Sequence, residues 1–485
     1  MFLKRSRDAS NGAPPPDSRL AIRFFAVVVD ALLATSTAIL LPSAIFMPYA
    51  MQFDIKNLTF PAALLYGDAT FPNLVLDNRA FFFMSWDNAG IKLVPHVSVF
   101  LCLEAIAAML HDACQPDRIT DKTKSPVAEL NPKLCAVAAG SHRALAHSPW
   151  SEHKSSRLLY RAIHVLTPLL FLATGGVILG LHLIGQYGTV KGDIGIMEDM
   201  CFQRMHPWLA SNFSCAVVKF NCYREGVASP SSESLSALER EAVRRIMFMH
   251  CPAFVMPSII REFSFLMGVD LWNTTLVRWG EEAAVSAQLH PSLLFVNFAY
   301  VNLTGIPPGL LQVPLPQRLT DLEFTHTNLT GLPQEIIEPW KDVEIIFIEH
   351  SLVNPFPSVL MQLPTLSELS LIDNKFDSIP SDALLTASST HFYNLALSHN
   401  ALRVLPPAEN FDVTYLALEF TQLKELPTWV YTKIWDSVAL GGSPLCHVGS
   451  TVQLPEFSHC AENDDPLGEE RYPVDLVKPF RSLDA

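Results

Sequence analysis

Charge is scarce in this sequence. Asp, Glu, Lys and Arg make up 17% of its 485 residues, against 49% hydrophobic ones. That ratio exceeds what a soluble domain usually shows, so some of the apolar chain needs a home other than a globular core. Basic residues are scarcer still, leaving a net charge of -14. The deficit is uneven: residues 1–187 hold 16 Lys+Arg against 13 Asp+Glu, and 188–485 hold 18 against 35. An acidic exterior of this kind argues against nucleic acid as a partner. Catalytic signatures are missing as well, with no G-x-S-x-G, H-E-x-x-H, Walker A loop or kinase set. Without C-x-x-C pairs, His250–Cys251 suits disulfide capping better than zinc. The expectation is a protein that is not an enzyme and needs no cofactor or metal.

Long hydrophobic runs are what the sequence does have. Residues 24–49 are long enough for a membrane helix, too long for a signal-peptide core, and lack a clean cleavage site. Residues 162–187 give a second clear span. Between them 93–110 is short and contains Pro95, His96 and Glu104, so a buried amphipathic helix is the alternative to spanning. Lys and Arg crowd the 1–23 tail and the 111–161 loop and are sparse in the 50–92 loop. The positive-inside rule then places the tail and the 111–161 loop in the cytoplasm and 188–485 outside. That cytoplasmic loop is too short for a catalytic domain. Glycosylation sequons at Asn57, Asn212, Asn273, Asn302 and Asn328 all fall in segments assigned to the outside. So do six of the nine cysteines, Cys201, Cys215, Cys222, Cys251, Cys446 and Cys460, an even number that suits an oxidising compartment. Within the spans Asp30, Glu104, His96, His164 and His182 suit helix assembly better than an ion path. Gly176 and Gly180 form a G-x-x-x-G contact for a helix partner in the bilayer.

A repeat sets the architecture of the acidic half. LSELSLIDNKFDSIP (from Leu366) reads L-x-x-L-x-L-x-x-N-x-F-x-x-I-P. The spacing recurs in FYNLALSHNALRVLP, VTYLALEFTQLKELP, LLFVNFAYVNLTGIP, LTDLEFTHTNLTGLP and VEIIFIEHSLVNPFP, with a degraded last copy at WDSVALGGSPLC. Six matches to one spacing predict a leucine-rich-repeat solenoid over 291–446, an α/β fold with a curved parallel sheet. Its L-x-L leucines point inward, and Ser351, Asn374, Asn400, Thr421 and Ser443 form a polar ladder in the turns. Asn302 and Asn328 lie one residue past that ladder and are expected to face outward. Residues 188–290 read as a cysteine-containing helical cap, with Leu235, Leu238, Val243, Ile246 and Met249 as the apolar stripe of a helix over 233–249. Cys446 and Cys460 suggest a local disulfide closing the far end, ahead of an acidic 447–485 cap and tail. The first four cysteines allow three connectivities.

Segments FPNLVLDNRAFFFMSWDNAGIKLVPHVSVFLC (71–102), PWLASNFSCAVVKFNCYREGVASPS (207–231), CPAFVMPSIIREFSFLMGVDLWNTTLVRWG (251–280) and GGSPLC (441–446) resemble a family of membrane-anchored leucine-rich-repeat proteins of oomycetes. The resemblance covers nearly the whole chain and implies a fold and a cell-surface placement rather than an activity. Some relatives carry a cytoplasmic kinase; none is implied here.

Binding chemistry is expected on the concave sheet face, beside the inward leucines. Those positions are Phe295, Asn297 and Tyr300; Asp321, Glu323 and His326; Phe347, Glu349 and His350; Glu368, Ser370 and Asp373; Asn394, Ser398 and His399; Tyr415, Glu419 and Phe420. They mix aromatics with acids and include no Lys or Arg, which suits a protein, peptide or glycan ligand of basic character. His326, His350 and His399 share one register and could titrate. The expected function is cell-surface recognition through the repeats, with signalling or adhesion through partners. The alternative is an accessory or scaffold subunit of a membrane complex, or a cytoplasmic scaffold if the topology is inverted.

Overall fold

A computed structural model describes residues 16–55, 59–81, 86–113, 173, 175–185, 198–207, 212–409, 411–447, 452–461 and 471–483. The chain divides into two units, 1–59 with 74–175, and 60–73 with 176–485. In the first, helix Pro16–Thr35 runs through a π turn at Ser36–Leu40 into helix Leu41–Ala50. Ser36 and Thr37 return their hydroxyls to the Leu32 and Leu33 carbonyls there, just before Pro42, which has no N–H to give the ladder. Among the described residues one segment, Val27–Ala50, is both long and apolar enough to cross a membrane. The segment expected as the second span lies in a 28-residue helix, Trp86–Ala113. Most of the 111–161 loop, the start of the third expected span and Asn57 lie outside the described residues, as do Cys114 and Cys135. An apolar helix, Gly175–Gly185, carries Gly176 and Gly180 with nothing packed within 4 Å of where a Cβ would stand.

The second unit is a stack of single-strand repeats. Its strands are β1 (Cys201–Arg204), β2 (Cys215–Asn221), β3 (Arg245–Met249), β4 (Phe254–Val255), β5 (Gly268–Trp272), β6 (Leu276–Arg278) and β7 (Phe295–Ala299). There follow β8 (Asp321–Thr325), β9 (Ile345–Glu349), β10 (Glu368–Ser370), β11 (His391–Ala396), β12 (Asp412–Ala417), β13 (Ile434–Ala439) and β14 (Ser458–His459). Twelve of them form one sheet in chain order, with β4 and β6 as a small separate ladder. β1 is antiparallel to β2, and every later neighbour in the large sheet is parallel.

The register explains the sequence pattern. Val218, Ile246, Val269, Val296, Leu322, Ile346, Leu369, Leu395, Leu416 and Val438 pair in one column, and none is more than 1% exposed. Each repeat leaves this column bare until its neighbour covers it, so stability is passed along the stack. The turns are closed by the polar ladder. Asn374 donates to the Ile348 and Leu371 carbonyls at 2.7 and 3.0 Å, and Asn400 to Leu371 and Leu397 at 2.8 and 3.0 Å. Buried Trp279, Trp340 and Trp429 anchor the return segments by donating their indole N–H to the carbonyls of Ala283, Leu310 and Pro406.

The helical cap expected over 188–290 is not what forms. Residues 245–249 are strand β3 and the residues before them are turns, so the solenoid begins at β2 rather than near 291. Leu235, Leu238 and Val243 are buried as the stripe required, but Ile246 and Phe248 alternate with Met247 and Met249. That period of two satisfies two buried faces at once, which a helix with one apolar stripe does not. The ends are fixed by disulfides: Cys201–Cys215 and Cys222–Cys251 at the start, and Cys446–Cys460 at the far end, the pairing its spacing suggests.

Candidate functional site

The outward face of the sheet is where a repeat stack ordinarily meets solvent. Here its first half is buried. Met247, Met249, Trp272, Ala299 and Phe347 form a second apolar cluster there with Tyr472 and Val477. Two segments remote in sequence make this cover: residues 60–73, a strap within the loop between the first two expected spans, and residues 471–483.

The strap enters with a turn at Ala62–Leu65, held where Thr70 Oγ1 returns to the Ala63 and Leu64 carbonyls. Tyr66 then donates its hydroxyl to Glu323 Oε1 at 2.5 Å, and the Gly67 carbonyl accepts from Arg245 at 3.2 Å. Phe71 meets the Phe295 ring edge-on at 5.3 Å between centroids. The Phe295 ring occupies the place a side chain at Gly268 would need: a Cβ there would stand 2.0 Å from it. Arg245 covers the same ring, its guanidinium 5.0 Å from the centroid.

Residues 471–483 run across the strands in the opposite order to the chain. Tyr472 packs edge-on against Tyr66 at 5.5 Å, Lys478 lies 6.0 Å over Tyr300 of the β7 repeat, and Arg481 lies 5.1 Å over Trp272 of β5. Past it the Ser482 carbonyl meets His250 Nε2 at 3.0 Å beside β3, and the Leu483 carbonyl accepts from Asn221 Nδ2 of β2 at 2.8 Å.

At the centre sits an ion network. Asp270, 0% exposed, accepts from Arg245 twice, at 2.7 and 2.9 Å. Arg481, also buried, reaches Asp68 of the strap at 3.1 Å and Asp270 at 3.4 Å, and Asp68 pairs with Lys219 of β2 at 2.7 Å. Burial works against ionised Asp68, but Arg481, Arg245 and Lys219 outweigh it and hold its carboxyl below the usual range. Next to this network burial, together with Asp270, lifts Asp321 to about 7. Burial and Asp321 likewise push Glu323 well above the ordinary glutamate value, so both acids favour the neutral form.

The expected binding residues thus divide. Phe295, Glu323, Phe347 and Glu349 are buried, and Asp321 is half-buried, so the open surface expected for them is corrected: the chain's own segments lie there. Ser370 accordingly turns its hydroxyl to Glu349 at 2.5 Å. In the part from β10 to β13 Glu368 is half-buried, while Tyr415 and Glu419 are buried as well, with Tyr393 packed edge-on to Tyr415 at 5.2 Å. Its rim exposes Trp435, which meets His391 at 5.6 Å, and His391 pairs with Asp412.

A separate column closes β3, β5 and β7 to β12 at their far ends. His250, Asn273, Tyr300, His326, His350, Asp373, His399 and Phe420 all have positive φ, a region open mostly to Gly, Asn, Asp and His. Packing holds them there: Tyr300, His326 and His350 stack at 4.5 and 4.4 Å, His350 bonds Asp373 at 2.9 Å, and His399 stacks on Phe420 at 4.5 Å. Burial and neighbouring His350 lower the His326 pKa. Among the sequons, Asn212, Asn273 and Asn302 are exposed. Asn328 is half-buried, with its amide donating to Asn302 at 2.7 Å and its carbonyl taking the Leu303 N–H, so it is less outward than its register suggests.

Sequence reasoning missed Arg245, Asp270 and Trp272 because they lay in the supposed cap, although RIMFMH and GVDLWN carry the same alternation as later strands. Nothing local marks Tyr66, Asp68, Tyr472 or Arg481; Asp68 meets Lys219, 151 residues on, and Arg481, 413 residues on.

This is a leucine-rich-repeat domain. The assignment rests on its own strand register and ladder. No family model matches the chain, and no curated protein matches it. Among solved structures, a leucine-rich-repeat protein of Leptospira interrogans aligns at 19% identity and a TM-score of 0.31, over 42% of this chain and 62% of the other. An internalin C2 of Listeria monocytogenes aligns at 12% identity and a TM-score of 0.31, over 43% of this chain and 83% of the other. The chain therefore spans 62% of the Leptospira protein it matches.

Proposed function

We propose that this chain is a membrane-anchored, cell-surface recognition protein, not an enzyme. Its repeats bind an extracellular protein, peptide or glycan on the part of the sheet face between β10 and β13. The observation that carries the reading is the exposed aromatic and acidic surface there. Trp435 is 72% exposed and Phe420 43% exposed, on a face that also carries exposed His391 and half-buried Tyr393, Glu368 and Asp412. Aromatic anchors beside carboxylates are the composition of recognition surfaces, and they favour a ligand with basic groups. Three disulfides suit an extracellular setting, and the apolar Val27–Ala50 helix suits an anchor. The resemblance to oomycete membrane-anchored repeat proteins points the same way.

The test is a screen of the full chain, in detergent or nanodiscs, against peptide and glycan arrays. Binding that Trp435→Ala and Phe420→Ala each weaken at least tenfold supports the surface. Ligands that bind both variants as tightly as the native chain would place recognition elsewhere.

A further inference from the structure

The buried half of the sheet face has the properties of a filled binding site rather than of a repeat core. The inward column already closes the solenoid without it. What lies on the face is a short segment, 471–483, joined to the solenoid through 462–470, a stretch with five Asp or Glu in nine residues. Its anchors are of the kind a peptide ligand uses. Arg481 lies over Trp272 and reaches two carboxylates, and two main-chain carbonyls are taken by Asn221 and His250. The face keeps polar capacity this segment does not use. Asp321 Oδ1, Glu323 Oε2 and Asn297 Oδ1 accept no hydrogen bond among the described residues, and Arg481 Nε and Nη1 donate none. A groove of about 660 Å³ continues past Leu483, lined by Cys222, Tyr223, His250, Pro252, Asn273 and Tyr300.

We infer that the sheet face from β2 to β9, with the strap 60–73 as one wall, is a peptide-binding site selective for an arginine-bearing aromatic segment. The chain's own 471–483 fills it in cis. Arginine is the reading residue because its guanidinium lies over the Trp272 ring while its Nη2 meets both Asp68 and Asp270, a cation–ring contact that favours arginine over lysine. A partner bearing such a segment competes with a tethered occupant, so access is governed by the effective concentration the 462–470 tether imposes. This site is distinct from the β10–β13 surface, and either stands without the other.

The experiment uses the full chain with a site-specific protease sequence inserted between Asp465 and Gly468. The protein folds with the segment in place, is then cut, and is incubated with excess fluorescent peptide 471–485. The labelled peptide should enter the cut protein, release the native segment, and fail to enter the uncut protein at the same concentration. An Arg481→Ala peptide should bind at least a hundredfold more weakly, since it leaves two carboxylates facing a lost cation. An Arg481→Lys peptide should recover only part of that loss. Two results would overturn the proposal: retention of the cut segment with no entry of labelled peptide over days, which makes it a fixed part of the fold, or equal binding of the Arg481→Ala peptide. Near-ultraviolet circular dichroism of the cut protein, unchanged before exchange, shows that the fold is intact in either case.

Discussion

Asp270→Asn tests the ion network at its hub. Asp270 faces Arg245 at 2.7 and 2.9 Å and Arg481 at 3.4 Å, and also accepts from Asn297 at 3.2 Å. The substitution keeps the shape and removes the charge. Two buried guanidinium groups then share Asp68 alone, which already serves Lys219. Removing one member of a buried pair costs about 3–5 kcal/mol, a large part of the roughly 5–15 kcal/mol that holds a typical domain. Chemical denaturation of the full chain, followed by tryptophan fluorescence, should show a loss in that range. Trp272 lies under Arg481, so its signal reports the same locus. The decisive arm is the double variant with Arg481→Met. If the damage comes from an uncompensated cation, removing that cation as well should restore at least 1 kcal/mol relative to Asp270→Asn alone. A single-variant loss below about 1 kcal/mol, or a double variant that loses the sum of the two, would refute the network as described.

Gly268→Ala should cost about 1–3 kcal/mol in the same assay, because the new Cβ meets the Phe295 ring; pairing it with Phe295→Leu should recover part of this. Asp321 and Glu323 bind protons more tightly folded than unfolded, so stability should fall as pH rises from about 4 to about 7. Asp321→Asn should flatten that limb in pH-resolved melts. Asp68 acts with the opposite sign: its lowered folded value contributes stability above the ordinary Asp range that is lost as pH falls below it. Cys446→Ser should loosen β13 and β14 by about 3 kcal/mol for a loop of that length. Hydrogen exchange should rise there and stay unchanged in β2 to β5, since repeats couple only to neighbours.

The sequence made the repeats legible where each copy kept both the L-x-L pair and the polar ladder residue, as at Leu369, Leu371 and Asn374. It obscured them where the ladder position holds a cysteine. MFMHC from Met247 places Cys251 at that position, and the eye reads a cap. A helical stripe could be drawn through Leu235 to Met249 because turns that pack under a strand also bury leucines three and four residues apart. Alternation fixes the side from which a strand side chain leaves the sheet. The exposure of the sheet-face residues was not legible, because exposure depends on what else in the chain comes to lie on them. The sequence expectation that the face lacks cations was true of the residues considered and incomplete for the site: Arg245 came from an unrecognised repeat and Arg481 from a segment read as tail.

The strap also bears on topology. Tyr66 and Asp68 reach Glu323, Lys219 and Arg481 through buried hydrogen bonds and ion pairs, and such contacts cannot form across a hydrocarbon core. Residues 60–73 and the repeats therefore share one side of any bilayer, and the chain between 73 and 201 crosses it an even number of times or not at all. This parity is met equally by two spans at 93–110 and 162–187 and by none, and it holds whichever way the positive-inside rule is applied. It gives a test that needs no ligand. Asn57 precedes the strap in sequence, and Asn212 lies exposed between β1 and β2, so in a eukaryotic membrane both sequons are offered to the same compartment. Asn57→Gln and Asn212→Gln should each remove one glycosidase-sensitive shift from the full chain. If both shifts are absent, an engineered cysteine at each position should be labelled from the cytoplasmic side by an impermeant reagent. Labelling of the two from opposite sides would break the parity, and with it the docking of the strap on the sheet face.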